Sequence, residues 1–161
     1  MSPRDLEILP FGPELAPYFQ TINQQWIESM FSLEATDVAM LEDPVAKVIA
    51  PGGKIWFARH PQHGVVGTCA LLKQEAGVYE LTKMGVTESA RGLKVGEQLL
   101  QYVLARAGQM NMQCLFLLTN RRCEAAIHLY EKNGFRHCED IMQRFGSAYE
   151  RCNVAMRYVG I

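Results

Sequence analysis

Apolar positions early in the chain recur at helical spacing, whereas those in the middle run together, so helices lead and a sheet follows. From Glu14 onward, Leu15, Tyr18, Ile22, Trp26 and Met30 return every three or four residues, predicting a helix to about Phe31. Pro17 suits its first turn, where a backbone N–H would lack an intrahelical partner. A second helix is predicted over residues 35–41, with a further turn at 44–49, and Pro51-Gly52-Gly53 ends the helical region. A short strand at residues 4–9 precedes these helices and is stopped by Pro10, Gly12 and Pro13.

A meander follows. Residues 54–60, 65–73 and 78–86 are rich in strand formers and separated by turns at 61–64 and near Ala76-Gly77. None alternates cleanly between apolar and polar, which suits a sheet covered on both faces. Val95, Leu99, Leu100, Val103, Leu104 and Ala107 then line one face of a helix ending near Gly108. A fully apolar strand at 114–118 and a helix at 123–132 come next, the latter stopped by Asn133-Gly134. Strands at 135–138 and 153–159 close the chain, with residues 139–152 read as a loop between them. The first strands should pair antiparallel, and the strand–loop–helix–strand unit should run parallel. The sheet is therefore expected to switch near that loop, where ligands tend to bind.

The loop itself carries the first chemical signal. Arg91, Gly92 and Gly96 stand between a strand and a helix start, where backbone N–H groups lack intrahelical partners and the helix dipole favours an anion. The stretch reads as a seat for a phosphate-bearing cofactor.

Composition narrows the classes. The 161 residues suit one domain (1–161) with a sizeable core. Sixteen basic against 17 acidic residues leave a net charge of −1, which gives no electrostatic footprint for nucleic acid or an anionic membrane. No apolar run approaches a membrane span, and the N-terminus lacks a secretory pattern, so a cytoplasmic protein is expected. Five scattered cysteines and four scattered histidines show no metal-ligand spacing, so no metal is expected and the thiols read as reduced and mostly buried.

The element order, the 91–96 loop, and Asn120 followed by Ala126, Leu129, Tyr130, Gly134 and Phe135 together resemble the GNAT N-acetyltransferase superfamily. The resemblance spans roughly residues 54–159. Arg91 and Gly96 match the ends of the family's Q/R-x-x-G-x-G/A loop, while Lys94 replaces its middle glycine, a substitution that costs energy where φ is positive. The fold implied is α/β, a mixed central sheet of about seven strands flanked by about four helices. The resemblance further implies acetyl-CoA as co-substrate, its diphosphate on the amides of Arg91, Gly92, Leu93, Lys94, Val95 and Gly96. Its pantetheine would pair like an extra strand along Met84, Gly85 and Val86, with Asn120 and Tyr130 also in contact. The activity implied is direct transfer of the acetyl group to a primary amine of a small molecule or a protein. A homodimer is common among such proteins.

An amine must lose its proton before it attacks, and at neutral pH only about one lysine-like amine in 10³ is free. Glu80, six residues before Val86, is the candidate base, acting directly or through water, with a rim ion pair to Lys83 or another cation as the alternative. Tyr130 is the candidate acid, or else a core aromatic packed on Leu129 and Phe135. Asn120 reads equally as a cofactor contact or a turn residue. Acceptor specificity is expected from the first two helices, the 61–64 turn and the 139–152 loop, with Thr82 and Lys83 as candidate channel residues. Two rivals remain: a non-catalytic module that binds CoA or another nucleotide, and acyl transfer to aminoacyl-tRNA. The chain's charge balance disfavours the second.

Overall fold

The computed structural model describes residues 6–161. Seven strands form one sheet: β1 (Glu7–Pro10), β2 (Lys54–His60), β3 (Gly64–Glu75), β4 (Val78–Val86), β5 (Cys114–Thr119), β6 (Phe135–His137) and β7 (Val154–Tyr158). Their spatial order is β1-β2-β3-β4-β5-β7-β6. Every neighbouring pair is antiparallel except β4 and β5, the pair joined through the glycine-containing loop and a helix. Arg4 and Asp5, the expected start of the first strand, lie outside the described residues.

Among the described residues five helices cover the sheet: α1 (Ala16–Met30), α2 (Ala35–Glu42), α3 (Val95–Ala107), α4 (Glu124–Lys132) and α5 (Glu139–Phe145). Consecutive residues of the strands feed opposite cores, which explains the missing apolar/polar alternation. In β2, Ile55 and Phe57 join Phe19, Met40 and Leu41 beneath α1 and α2. Trp56 and Ala58 join Val95, Leu99 and Val103 of α3 on the other face. In β5, Leu115 and Leu117 belong to the α3 side, whereas Phe116 and Cys114 pack with Ile141 of α5. A strand apolar at every position is what two buried faces require.

The stretch at 139–152 corrects the expected loop. Its first half is α5, which buries Ile141 and stacks Phe145 on Phe116 with ring centroids 4.4 Å apart. The expected helix from Glu14 begins as a tight turn at Pro13–Leu15 before α1, and the 44–49 turn forms five-residue π-helical geometry at Val45–Ile49. Of the five cysteines only Cys69 and Cys114 are fully buried; the other three are half-buried. No helix among the described residues is long and apolar enough to cross a membrane.

Candidate active site

The site starts where β4 and β5 part. These strands pair at Val78–Cys114, Tyr79–Leu115 and Glu80–Phe116, and no further. Beyond Glu80, β4 stays on β3 as far as Val86, whereas β5 from Phe116 pairs with β7. The sheet thus opens into a V with Glu80 at its vertex, and the β5-facing edge of residues 81–86 has no strand on it. A bulge sharpens the opening. Thr68 opposes Gly85 and Ala70 opposes Thr82, so Lys83 and Met84 together face Cys69, and Lys83 adopts φ +52°. The extra residue turns Thr82 and Lys83 toward the same face, that of α1, α2 and α5. At Gly85 the sheet meets α1 so closely that a Cβ would stand 2.5 Å from the Trp26 ring, so only glycine fits.

A cavity of about 550 Å³ fills the V. Its walls are the 81–86 edge, the end of β5, the start of α4, and the last residues of α1, with Tyr149, Arg151 and Cys152 closing one side. Met84, Gly85 and Val86 line it, as do Arg91, Gly96, Asn120 and Tyr130. Glu80 does not, and neither do Gly92, Leu93, Lys94 and Val95.

The start of α3 presents bare amides. The first intrahelical bond runs from Gln98 N–H to the Lys94 carbonyl at 3.2 Å, and no side chain caps the helix. Amides of Val95, Gly96 and Glu97 therefore precede the helical ladder. Gly92 at φ +84° and Lys94 at φ +59° make the turn that aims them. Lys94 thus holds a left-handed conformation without being glycine. The Val95 side chain is buried in the core, so only its backbone could meet a ligand.

Behind the cavity lies a buried ion cluster that joins distant parts of the chain. Lys83 Nζ donates to Asp37 Oδ1 at 2.9 Å and to Tyr149 Oη at 3.1 Å. Arg151 binds Asp37 with both terminal nitrogens, at 2.6 and 2.8 Å, and Glu34 at 3.3 Å. Glu34 also caps the backbone of Glu150 and Arg151, with N–H distances of 2.8 and 3.2 Å. Burial opposes ionisation of Asp37, but Arg151 and Lys83 outweigh it and hold the carboxyl well below its usual range. Burial likewise opposes charge on Lys83, yet Tyr149 and Asp37 leave its ammonium favoured. Lys83 is therefore a fixed cation and not a base.

Glu80 is buried and accepts a hydrogen bond from Gln74 Nε2 at 2.9 Å. Desolvation pushes its carboxyl up to about 7, against the opposing pull of the Lys83 charge and of hydrogen bonds from Gln74 and Thr82. The alternative reading, an ion pair with Lys83, does not form, because Asp37 takes that ammonium. Burial raises the Tyr130 phenol, which stays protonated, and its ring packs edge-on against Phe135 at 5.7 Å. Asn120 has both ends of its amide engaged. Its Nδ2 donates to the Arg151 carbonyl at 2.7 Å, and its Oδ1 accepts from Arg122 N–H at 2.8 Å, closing an Asx turn.

A family model for the acetyltransferase (GNAT) domain matches residues 51–137, more than half of the chain. The chain belongs to the GNAT acetyltransferase family. Its fold superposes on a GNAT-family acetyltransferase from Staphylococcus aureus with a TM-score of 0.83, at 22% identity over 95% of this chain and 98% of that one. An acetyltransferase from Streptococcus agalactiae gives 0.78 at 18% identity, covering 96% and 98% of the two chains. A Bacillus subtilis acetyltransferase solved in complex with CoA gives 0.69 at 18% identity, covering 95% and 97%. No curated protein matches the chain in sequence. Within the GNAT fold, the 81–86 stretch offers an unpaired strand edge and the start of α3 offers uncapped amide donors.

Sequence reasoning missed Asp37, Glu34, Tyr149 and Arg151 as a unit. Their partners lie more than 100 residues apart in the chain, and no local spacing encodes such a cluster. The available signal was the dense mixture of tyrosine and charge at 149–151, in a stretch expected to shape the acceptor pocket. The 61–64 turn, also expected there, does not line this cavity.

Proposed function

We propose that the protein is an acyl-CoA-dependent N-acetyltransferase that uses acetyl-CoA and a primary amine. The observation that carries this reading is the V between β4 and β5, with uncapped amides at one end and a buried carboxylate at its vertex. The amides of Gly92 and of residues 94–97 would seat the diphosphate, those of Arg91 and Leu93 being already bonded to the Glu88 and Ala90 carbonyls, and the 81–86 edge would hold the pantetheine arm by main-chain hydrogen bonds. Bound there, the co-substrate supplies an acyl group activated as a thioester. The rest falls to the chain itself. Glu80, with its carboxyl near 7, is ionised in a substantial fraction at neutral pH and can take a proton from an ammonium. Because Glu80 lies behind the cavity wall, that proton reaches it through Thr82 or water. Tyr130, kept protonated by burial, presents a hydroxyl donor on the opposite wall.

The decisive assay follows release of free thiol from acetyl-CoA and from longer acyl-CoAs across a panel of amines. Amine-dependent release with acetyl-CoA as the best donor is the expected result. CoA binding without turnover of any amine would instead make this a binding module, the reading that the recessed position of Glu80 favours.

A further inference from the structure

The charges on the cavity wall distinguish among amines. Four cations line the cavity, Lys83, Arg91, Arg122 and Arg151, against the single carboxylate of Glu124. Asp37 and Glu34 neutralise Lys83 and Arg151 from behind. Neither acid is free for a ligand, since Asp37 is fully buried with Lys83 and Arg151 on it and Glu34 holds Arg151 and two backbone amides. Glu124 sits in the first turn of α4, where the helix start already stabilises it. Arg91 belongs to the turn assigned above to the diphosphate.

That leaves Arg122, at the end of the cavity formed by α1. Its guanidinium lies over the Phe31 ring, 4.9 Å from the centroid, and no carboxylate among the described residues pairs with it. The ring contact occupies none of the guanidinium's N–H donors with an oxygen acceptor, which leaves them available for a carboxylate or phosphate. A second donor points the same way. The Lys83 ammonium has three hydrogens, of which Asp37 and Tyr149 engage two, and its side chain is 2% exposed on the cavity wall. A polyamine entering here would bring a second ammonium among four cations, with Glu124 the one carboxylate on the wall to receive it.

We infer that the acceptor is a small amine carrying its own oxyanion, a carboxylate or phosphate, which Arg122 receives. This rests on the transferase reading and narrows its substrate class. The test uses matched sets: α-amino acids, their amides and their decarboxylated amines; phosphoethanolamine against ethanolamine; and spermidine. Each is measured by thiol release and by calorimetric binding in the presence of CoA. The oxyanion-bearing member should exceed its neutral counterpart by roughly 10–100-fold in kcat/KM and in affinity, the strength of a charge-assisted pair. The two sets tell carboxylate from phosphate. Arg122→Gln should bring that ratio close to one through KM, and Arg122→Lys should keep part of it. Arg121→Gln, a neighbour off the cavity wall, should leave the ratio alone. Equal or better use of the amides, a preference for spermidine, or an Arg122→Gln effect on the KM of acetyl-CoA would each overturn the inference. If no amine is acetylated, the transferase reading fails, and the calorimetric ratios still decide the oxyanion preference.

Discussion

Two buried residues set the behaviour of this site with pH. Glu80 is raised from 4.5 to about 7, chiefly by desolvation. As a base it works deprotonated, so kcat/KM should climb as pH rises through about 7, and Glu80→Gln should flatten that limb and lower the plateau. Stability runs the other way. Between about 4.5 and 7 the folded chain keeps a proton that the unfolded chain releases, so this group's contribution to stability falls as pH rises across that window. A rise of that size corresponds to roughly 3 kcal/mol. Glu80→Gln should therefore gain stability on the wild type between pH 4.5 and 8 by that order, as read from urea unfolding at both pH values. An unchanged difference would mean that Glu80 is not desolvated in the folded state. Asp37 is the opposite case, a depressed carboxyl whose contribution is present above its unfolded pKa and lost only in strong acid. Asp37→Asn leaves Lys83 and Arg151 buried against a neutral group and should cost about 3–5 kcal/mol. Lys83→Met with Asp37→Asn should cost less than the sum of the two single changes. Glu80 could be singled out in the sequence because it lies in the central strand, six residues before Val86, where the family resemblance implies a base. Asp37 could not, since an acid in the first turn of a helix looks like an ordinary surface residue.

Elements with strong local signals emerged from the sequence within a residue or two. The strands of the meander and α3 did so because β-formers or helical periodicity fill them from end to end. The helix α5 did not, because seven residues with Ile141, Met142 and Phe145 as their apolar face are too few to stand out from a polar loop. The bulge at Lys83 left no trace at all, since lysine is a poor advertisement for a positive φ. The loop before α3 was legible in both its match and its departure. Lys94 stands at the start of the helix with φ +59°, where a side chain costs about 1–2 kcal/mol relative to the right-handed region. Glycine gives some of that back to the more flexible unfolded chain. Lys94→Gly should thus stabilise the protein by up to about 1 kcal/mol, whereas Lys94→Val, branched at Cβ, should destabilise it by more than that. Denaturant midpoints of the two variants at unchanged slope decide the matter. If both variants lose stability equally, the lysine side chain contributes more than its backbone conformation costs.

Across the whole molecule, one topological fact links the fold to its proposed ligand: β4 has neighbours on both sides at its start and on one side only at its end. Residues 81–86 keep β3 and lose β5, while α3 opens with amides that no cap engages. Two sets of free backbone donors result, the 81–86 edge on the cavity wall and the amides opening α3, which meet that wall at Gly96. A ligand that uses both must be long, with a diphosphate at one end and an amide-bearing arm at the other. Binding to the folded state alone stabilises it by about 2.7 kcal/mol at a hundredfold excess over Kd, a shift of about 5–11 °C in Tm for a chain of this size. CoA should produce such a shift, and pantetheine, which lacks the diphosphate, should produce far less at equal concentration. Hydrogen exchange locates the effect. CoA should slow exchange at the amides of Gly92 and residues 94–97 and within 81–86 together, whereas pantetheine should touch only the second group. Protection at the strand edge without protection at the start of α3 would place the diphosphate elsewhere and remove the helix terminus from the binding site.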